Sequence, residues 1–190
     1  MLIQELSREE CLSVLAGRRV ARLAFVHEGQ PHIVPVYLTY DAESSTTPSL
    51  YGVTTCGEKV EWMRANPRVC VEIDEIIDFD RWMSVVVLGR YEELEDRSQG
   101  VAVSQARLRH PSRSTQESLE SSSPASERLK AVQILQNQAM WWEPASTAWA
   151  SRHDRKPGDR YEPVYYRVCI EQVSGHRACP QASEGPATFS

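Results

Sequence analysis

The stretch that most limits how this chain can fold is RRVARLAFVHEGQPHIVPVYLTY, residues 18–40. Val20, Arg22, Ala24 and Val26 alternate with Ala21, Leu23 and Phe25, the period-two pattern of a strand with one buried face. EGQ is a turn, and PHIVPVYLTY returns as a second strand, which makes a hairpin. Pro35 cannot donate to a ladder, so it confines this second strand to a sheet edge or a bulge. More strands follow the same logic: LYGVTT, RVCVEIDEI, the long apolar run WMSVVVLGRYEEL with Gly89 as a bend, and PVYYRVCIEQV. Gly and Pro turns separate them, and helices fill the joins. The fold class that follows is β-rich α+β, a small antiparallel barrel with peripheral helices.

Two helices frame the first strands. Ser7 and Glu10 have capping-box spacing ahead of Cys11, Leu12, Val14 and Leu15, and Gly17 ends that helix. GEKVEWMRAN, residues 57–66, forms the other, with Val60 and Met63 on one face and Asn66 and Pro67 closing it. Past Glu95 the composition changes. EDRSQGVAVSQARLRH reads as helical, PSRSTQESLESSSPAS as a low-complexity loop, and ERLKAVQILQNQAMWW as an amphipathic helix. The expected organisation is one domain over residues 1–175, with a partly low-complexity helical insertion at about 97–140. Residues 176–190 have little to bury and are expected to form a mobile tail.

With 190 residues, 41% apolar and 25% charged, the chain is long enough for a real core and ordinary in composition. Its net charge of −5 disfavours nucleic acid and anionic membranes as partners. There is no apolar run of membrane-spanning length, and MLIQELSREE is acidic rather than signal-like, so a cytoplasmic location is expected. The five cysteines and five histidines are scattered without metal-ligand spacing, so no metal site is expected. Cys56 sits where a helix N-terminus would lower its thiol pKa, but no partner makes it a nucleophile.

The turn YGVTTCGEK raises the functional question. Gly52 and Gly57 are four residues apart, as in a triphosphate-binding loop, but Glu58 takes the place of the required lysine and Lys59 comes one position late. That motif is disfavoured. A phosphate remains compatible: Thr54 and Thr55 offer hydroxyls, the turn at Gly57 offers backbone N–H groups at a helix start, and Lys59 offers a charge. Thr55 and Glu58 also have capping-box spacing, in which case the turn merely starts a helix.

Taken in order, GEKVEWMRANPRVCVEID, WMSVVVLGRYEEL and PVYYRVCIEQVSG resemble the pyridoxamine 5′-phosphate oxidase-like, FMN-binding split-barrel family. The similarity is to its flavin-nucleotide-binding, nitroimidazole-reductase-like branch, and it covers roughly Ser7 to Gly175. The resemblance implies FMN as cofactor, its phosphate at Thr54, Thr55, Gly57 and Lys59. It places the isoalloxazine ring against Val34, Pro35, Val36 and Tyr37, with Trp82 and Ser84 near the flavin at a homodimer interface. Trp141, Trp142 and Trp149 with Pro144 would either cover the flavin from the partner or pin the last helix. An FMN-dependent oxidoreductase acting on a small planar acceptor is the implied function, without an assigned catalytic side chain. The alternative is a flavin- or haem-binding sensor or carrier, with His27 or His32 as haem-ligand candidates. Two departures narrow this. Gly52 stands where the nitroreductase-like branch often has histidine, and the arginines and the arginine–histidine pair of true pyridoxamine phosphate oxidases are not evident, which disfavours vitamin B6 oxidation.

Overall fold

The computed structural model describes residues 1–41, 47–94, 124–136 and 163–180. The chain runs β1 (Leu2–Glu5), α1 (Arg8–Gly17), β2 (Val20–His27), β3 (Gln30–Tyr37), β4 (Thr39–Asp41), β5 (Ser49–Thr55), α2 (Glu58–Ala65), β6 (Arg68–Asp78), β7 (Arg81–Glu93), α3 (Pro124–Gln136) and β8 (Pro163–Cys179). All eight strands join one antiparallel sheet in the order β3-β2-β6-β7-β8-β5-β4, with β1 also paired to β8.

The two ends of that order are consecutive pieces of one chain. β3 pairs with β2, and after the single residue Leu38 the same chain pairs with β5 as β4. The segment 30–41 therefore closes the sheet on itself, a role that the strand pattern alone does not assign to it. Closure removes most of the exposed edge that an open sheet would present. Inside sit Leu23 and Phe25 of β2, Val36, Leu38 and Leu50, Val71 and Ile73 of β6, Val85 and Val87 of β7, and Tyr166 and Val168 of β8, all buried. Cys11 and Leu15 of α1 and Met63 of α2 add to the same core.

The β2–β3 hairpin turns on two residues, Glu28 at φ 49 and Gly29 at φ 78. Two successive positive φ values are the tight turn whose twist matches the strands it joins. Its register is unbroken from Val20↔Tyr37 to His27↔Gln30. Pro35 therefore lies on an edge strand and not at a bulge; of the two positions open to it, the continuous ladder selects the edge. A register shift does occur elsewhere, between Leu88 and Gly89 in the β7–β8 pairing. A Cβ on Gly89 would lie 2.5 Å from the Cys169 carbonyl oxygen, so the close approach there depends on glycine.

Both ends of the chain differ from the sequence reading. MLIQE carries no periodicity long enough to mark a strand, yet Leu2–Glu5 pairs with His176–Cys179. β8 accordingly runs past Gly175 to Cys179, with Ala178 buried, and the mobile tail does not begin at His176. α3 lies over the outer face of β5 and β8, where the Tyr51 hydroxyl donates to Glu127 at 2.8 Å and Arg167 bridges Glu92 and Glu127. Burial and the Glu127 carboxylate push the Tyr51 phenol well above its ordinary pKa. The helix expected over 95–110 and the tryptophans at 141, 142 and 149 lie outside the described residues. No helix among those described is long and apolar enough to cross a membrane.

Candidate functional site

The barrel splits where β4 ends. Thr39↔Tyr51 is the last β4–β5 pair, and beyond it β5 continues through Gly52–Thr55 while β3 follows β2 away from it. On that side no strand among the described residues covers the remainder of β5 or the outer edge of β3. Two strand edges thus face one opening. In it lies a cleft of ≈ 390 Å³ lined by Phe25, His32, Ile33, Val34, Thr55, Cys56, Gly57, Glu58, Lys59 and Trp62. The two segments singled out from the sequence, the edge strand and the turn before α2, meet here although they are distant in the sequence.

The start of α2 is chemically open. Gly57 is the N-cap and no side chain caps the helix, so the Thr55–Glu58 capping box does not form. Spacing alone misleads here because Thr55 is still in β5, two positions before Gly57, which is the N-cap of a helix that begins at Glu58. The Gly57 carbonyl accepts from Val60 at 2.9 Å and Glu61 at 3.2 Å. The N–H groups of Glu58 and Lys59 have no acceptor among the described residues, as expected for an uncapped first turn. α1 shows the contrast: Ser7 and Glu10 form the reciprocal capping box there.

Lys59 is half-buried beside these amides and has no ion pair or hydrogen bond among the described residues. Burial alone lowers its pKa from the usual lysine value. An unpaired cation, two unclaimed N–H groups and the positive end of a helix dipole converge on one end of the cleft. This arrangement favours a phosphate.

The other expected residues divide. Val34, Thr55, Gly57 and Lys59 line the cleft. Thr54 is buried on the opposite, interior face of β5, and only its backbone belongs to the turn. Pro35 is exposed, Val36 is in the core and Tyr37 is half-buried, and none of the three lines the cleft. The rows of the sheet run Val34–Leu23–Val71–Val87, which puts Trp82 five residues, or about 17 Å, further along β7. Trp82 and Ser84 thus do not reach this cleft within one chain. Ser84 donates to Glu72 at 3.2 Å instead.

An aromatic wall at the far end escapes the sequence reading. The His27 ring stacks on Trp62 at 4.7 Å and 12°, and His32 meets Trp62 at 4.6 Å and 38°. Phe25 stacks on His32 at 5.6 Å and 11°. Applying the two-residue turn to set the hairpin register would have placed Phe25 opposite His32. Nothing local places Trp62 against them. Gly52 has a steric reason: a Cβ there would lie 2.6 Å from the Tyr166 ring and 2.8 Å from Leu38, so this barrel has no room for a side chain.

Comparison with known proteins fits this geometry. The family model described as pyridoxamine 5′-phosphate oxidase matches residues 7–139. The chain belongs to the pyridoxamine 5′-phosphate oxidase-like family. A protein of Rhizobium meliloti (strain 1021), described as uncharacterized, is 31% identical over 186 residues, spanning 94% of this chain and 97% of its own. The crystal structure of an FAD-binding protein from Mesorhizobium loti is 34% identical, covers 95% of this chain and 99% of its own, and superimposes with a TM-score of 0.60. A FAD-binding protein from Mycobacterium smegmatis shares the fold at 17% identity, covering 92% of this chain and 98% of its own, with a TM-score of 0.54. The family's split barrel is the fold described above.

Proposed function

We propose that the cleft holds the riboflavin 5′-phosphate unit of a flavin, as FMN or as that half of FAD, and that the protein is a flavin-dependent oxidoreductase acting on a small planar acceptor. The observation that carries the reading is the half-buried, unpaired Lys59 beside the uncapped start of α2. Lys59 and the N–H groups of Glu58 and Lys59 would take the phosphate, with the Thr55 hydroxyl at the rim. The outer edge of β3 would meet the polar edge of the ring through backbone groups, at Val34, Pro35, Val36 and Tyr37 as the family resemblance implies. A bound flavin supplies the electron-transfer chemistry, and the protein's part is to bind, orient and exclude water. The FAD-binding relative from Mesorhizobium loti, similar over nearly its whole length, supports the same cofactor class.

An absorption spectrum with flavin bands after reconstitution tests binding, and oxidation of reduced nicotinamide with a panel of acceptors tests turnover. Lys59→Ala removes one charge-assisted contact and should cost about 1.5–3 kcal/mol, or roughly tenfold to a hundredfold in FMN affinity. Riboflavin, which lacks the phosphate, should bind wild type and variant alike; equal losses for both ligands would reduce the turn to a helix start. The pH dependence has a definite sign. Burial lowers the free-state pKa of Lys59, and a bound phosphate favours its charged form. FMN affinity should therefore fall as pH rises through that lowered pKa, relative to riboflavin, whose ring ionises identically.

A homodimer is part of this proposal. Ile33 lines the cleft yet is 63% exposed, and on the outer sheet face Val26 and Leu88 border a second apolar cleft of ≈ 380 Å³. Contiguous apolar surface of this kind favours a second copy of the chain. Trp82 and Ser84 would then approach the flavin from the partner subunit. Light scattering should give twice the chain mass at micromolar concentration; a monomer that retains flavin would end the idea.

A further inference from the structure

The β6–β7 hairpin carries a feature at each end that one chain leaves unanswered. At its tip Phe79 is 79% exposed, Ile76 74% and Ile77 64%, and Phe79 is the most exposed large apolar side chain among the described residues. Asp78 and Asp80 flank it. Arg81 approaches Asp78 only to 3.6 Å, with both half exposed, so the tip stays net acidic. At the other end Arg68 and Arg90 stand directly opposite each other on neighbouring strands, and both are exposed. Like charges in that position repel, and neither side chain has an ion pair or hydrogen bond among the described residues. Arg68 also lines the apolar cleft of ≈ 380 Å³, together with Val26, Pro31, Cys70 and Leu88. Glu171 in the same lining pairs with neither arginine among the described residues.

We infer that the hairpin tip of one copy of the chain seats on the Arg68–Arg90 end of a second copy, and the reverse, across a two-fold axis. This rests on the homodimer proposed above and adds which surfaces meet. The register carries it. Ile73↔Val85 is the middle row of the hairpin. Cys70 and Ile76 each stand three residues from Ile73 along β6, and Arg68 and Asp78 each stand five. A two-fold axis that lies in the interface and crosses the strands at this row lays each end of one copy on the opposite end of the other. The Cys70–Leu88 pair then meets Ile76–Trp82, apolar against apolar, and the acidic tip meets the two arginines. Between them the outer face is polar but already satisfied: Arg22 bridges Glu72 and Asp74, and Ser84 donates to Glu72. An isologous interface requires a surface that complements itself in this way. An unrelated partner would have no reason to match the equal spacing of the two ends.

Charge reversal in the full chain tests the contact. Arg68→Glu with Arg90→Glu, and separately Asp78→Asn with Asp80→Lys, should each weaken the dimer at least about tenfold, because every dimer contains the altered contact twice. Asparagine keeps an oxygen for the Phe79 N–H, which Asp78 accepts at 2.8 Å, so the turn is retained. All four changes in one chain restore opposite charges and should recover most of the affinity. The two ends lie about 30 Å apart along β6, so such recovery comes from a second copy and not from within the chain. Phe79→Ser removes the apolar plug without touching charge and should also weaken the dimer. Sedimentation over a dilution series gives the dissociation constants, and circular dichroism checks the fold. If the arginine variant does not fold, the tip variants decide: a weaker dimer supports the contact and one as tight as wild type overturns it. A wild-type dimer that no variant weakens, or a quadruple variant no tighter than the double ones, would overturn this contact and leave the homodimer standing. A monomeric wild type would overturn both.

Discussion

Gly52→His should cost the fold more than about 4 kcal/mol and lower its melting temperature by at least about 8 °C. The Cβ alone would lie 2.6 Å from the Tyr166 ring and 2.8 Å from Leu38, and neither neighbour has space to retreat, since Tyr166 and Leu38 are both buried. One or two surplus methylenes in a packed core cost about 1–3 kcal/mol. An imidazole adds more volume and also two polar atoms with nothing to bond to, which together should exceed about 4 kcal/mol. That is a large share of a typical domain's stability. The cause is testable apart from the magnitude: Tyr166→Ala creates a cavity on its own, yet combined with Gly52→Ala it should cost less than the sum of the two single changes. Additive losses would locate the conflict elsewhere. The consequence for function is that Tyr166 occupies the space where the nitroreductase-like branch often carries histidine. Activity that requires that imidazole is not available to this chain through a single substitution.

How much of this was legible beforehand depends on the distance over which each feature is decided. The alternation in Val20–His27 and the turn at Glu28–Gly29 are local, and both strands formed as read. The Ser7–Glu10 capping box is local too, and it formed. The Thr55–Glu58 pair has identical spacing and did not form, because pairing of Thr55 with Pro163 of β8 keeps that residue in the sheet. A tertiary contact there overrode a four-residue pattern, and the result is an open anion site instead of a closed cap. Pro35 announced an edge through its missing N–H but could not choose between edge and bulge; that choice belongs to the β2 ladder. The aromatic wall was the least visible part. Phe25, His27, His32 and Trp62 come from three elements, and each alone is an unremarkable core or surface residue. β1 was hidden for the same reason, since four exposed residues make a strand only when β8 is already beside them.

That last dependence yields the second large effect. A chain ending at Gly175 should be several kcal/mol less stable than one ending at Pro180. Sequence composition argues the reverse, because His176–Cys179 has little apolar surface to offset the entropy of ordering it. In the fold, however, this segment is a central strand: it pairs with Leu2–Glu5 on one side and with Trp82–Ser84 on the other. Removing it leaves two ladders without partners, at about 1 kcal/mol net per lost bond. β1 then has no other strand to pair with among the described residues, so its contribution is lost with the deleted one. The Glu10–Arg177 ion pair disappears as well, but both partners are exposed and its loss adds little. The total should be about 3–5 kcal/mol, or a fall of roughly 6–20 °C in melting temperature for a chain of this size. The cleft lies at the other end of the sheet rows, so flavin binding by the fraction that remains folded should be preserved. Thermal unfolding of the two truncated chains followed by circular dichroism measures the difference. Equal midpoints would show that the β1–β8 ladder contributes nothing; loss of flavin at temperatures where the shorter chain is fully folded would show that this end of the sheet supports the cleft.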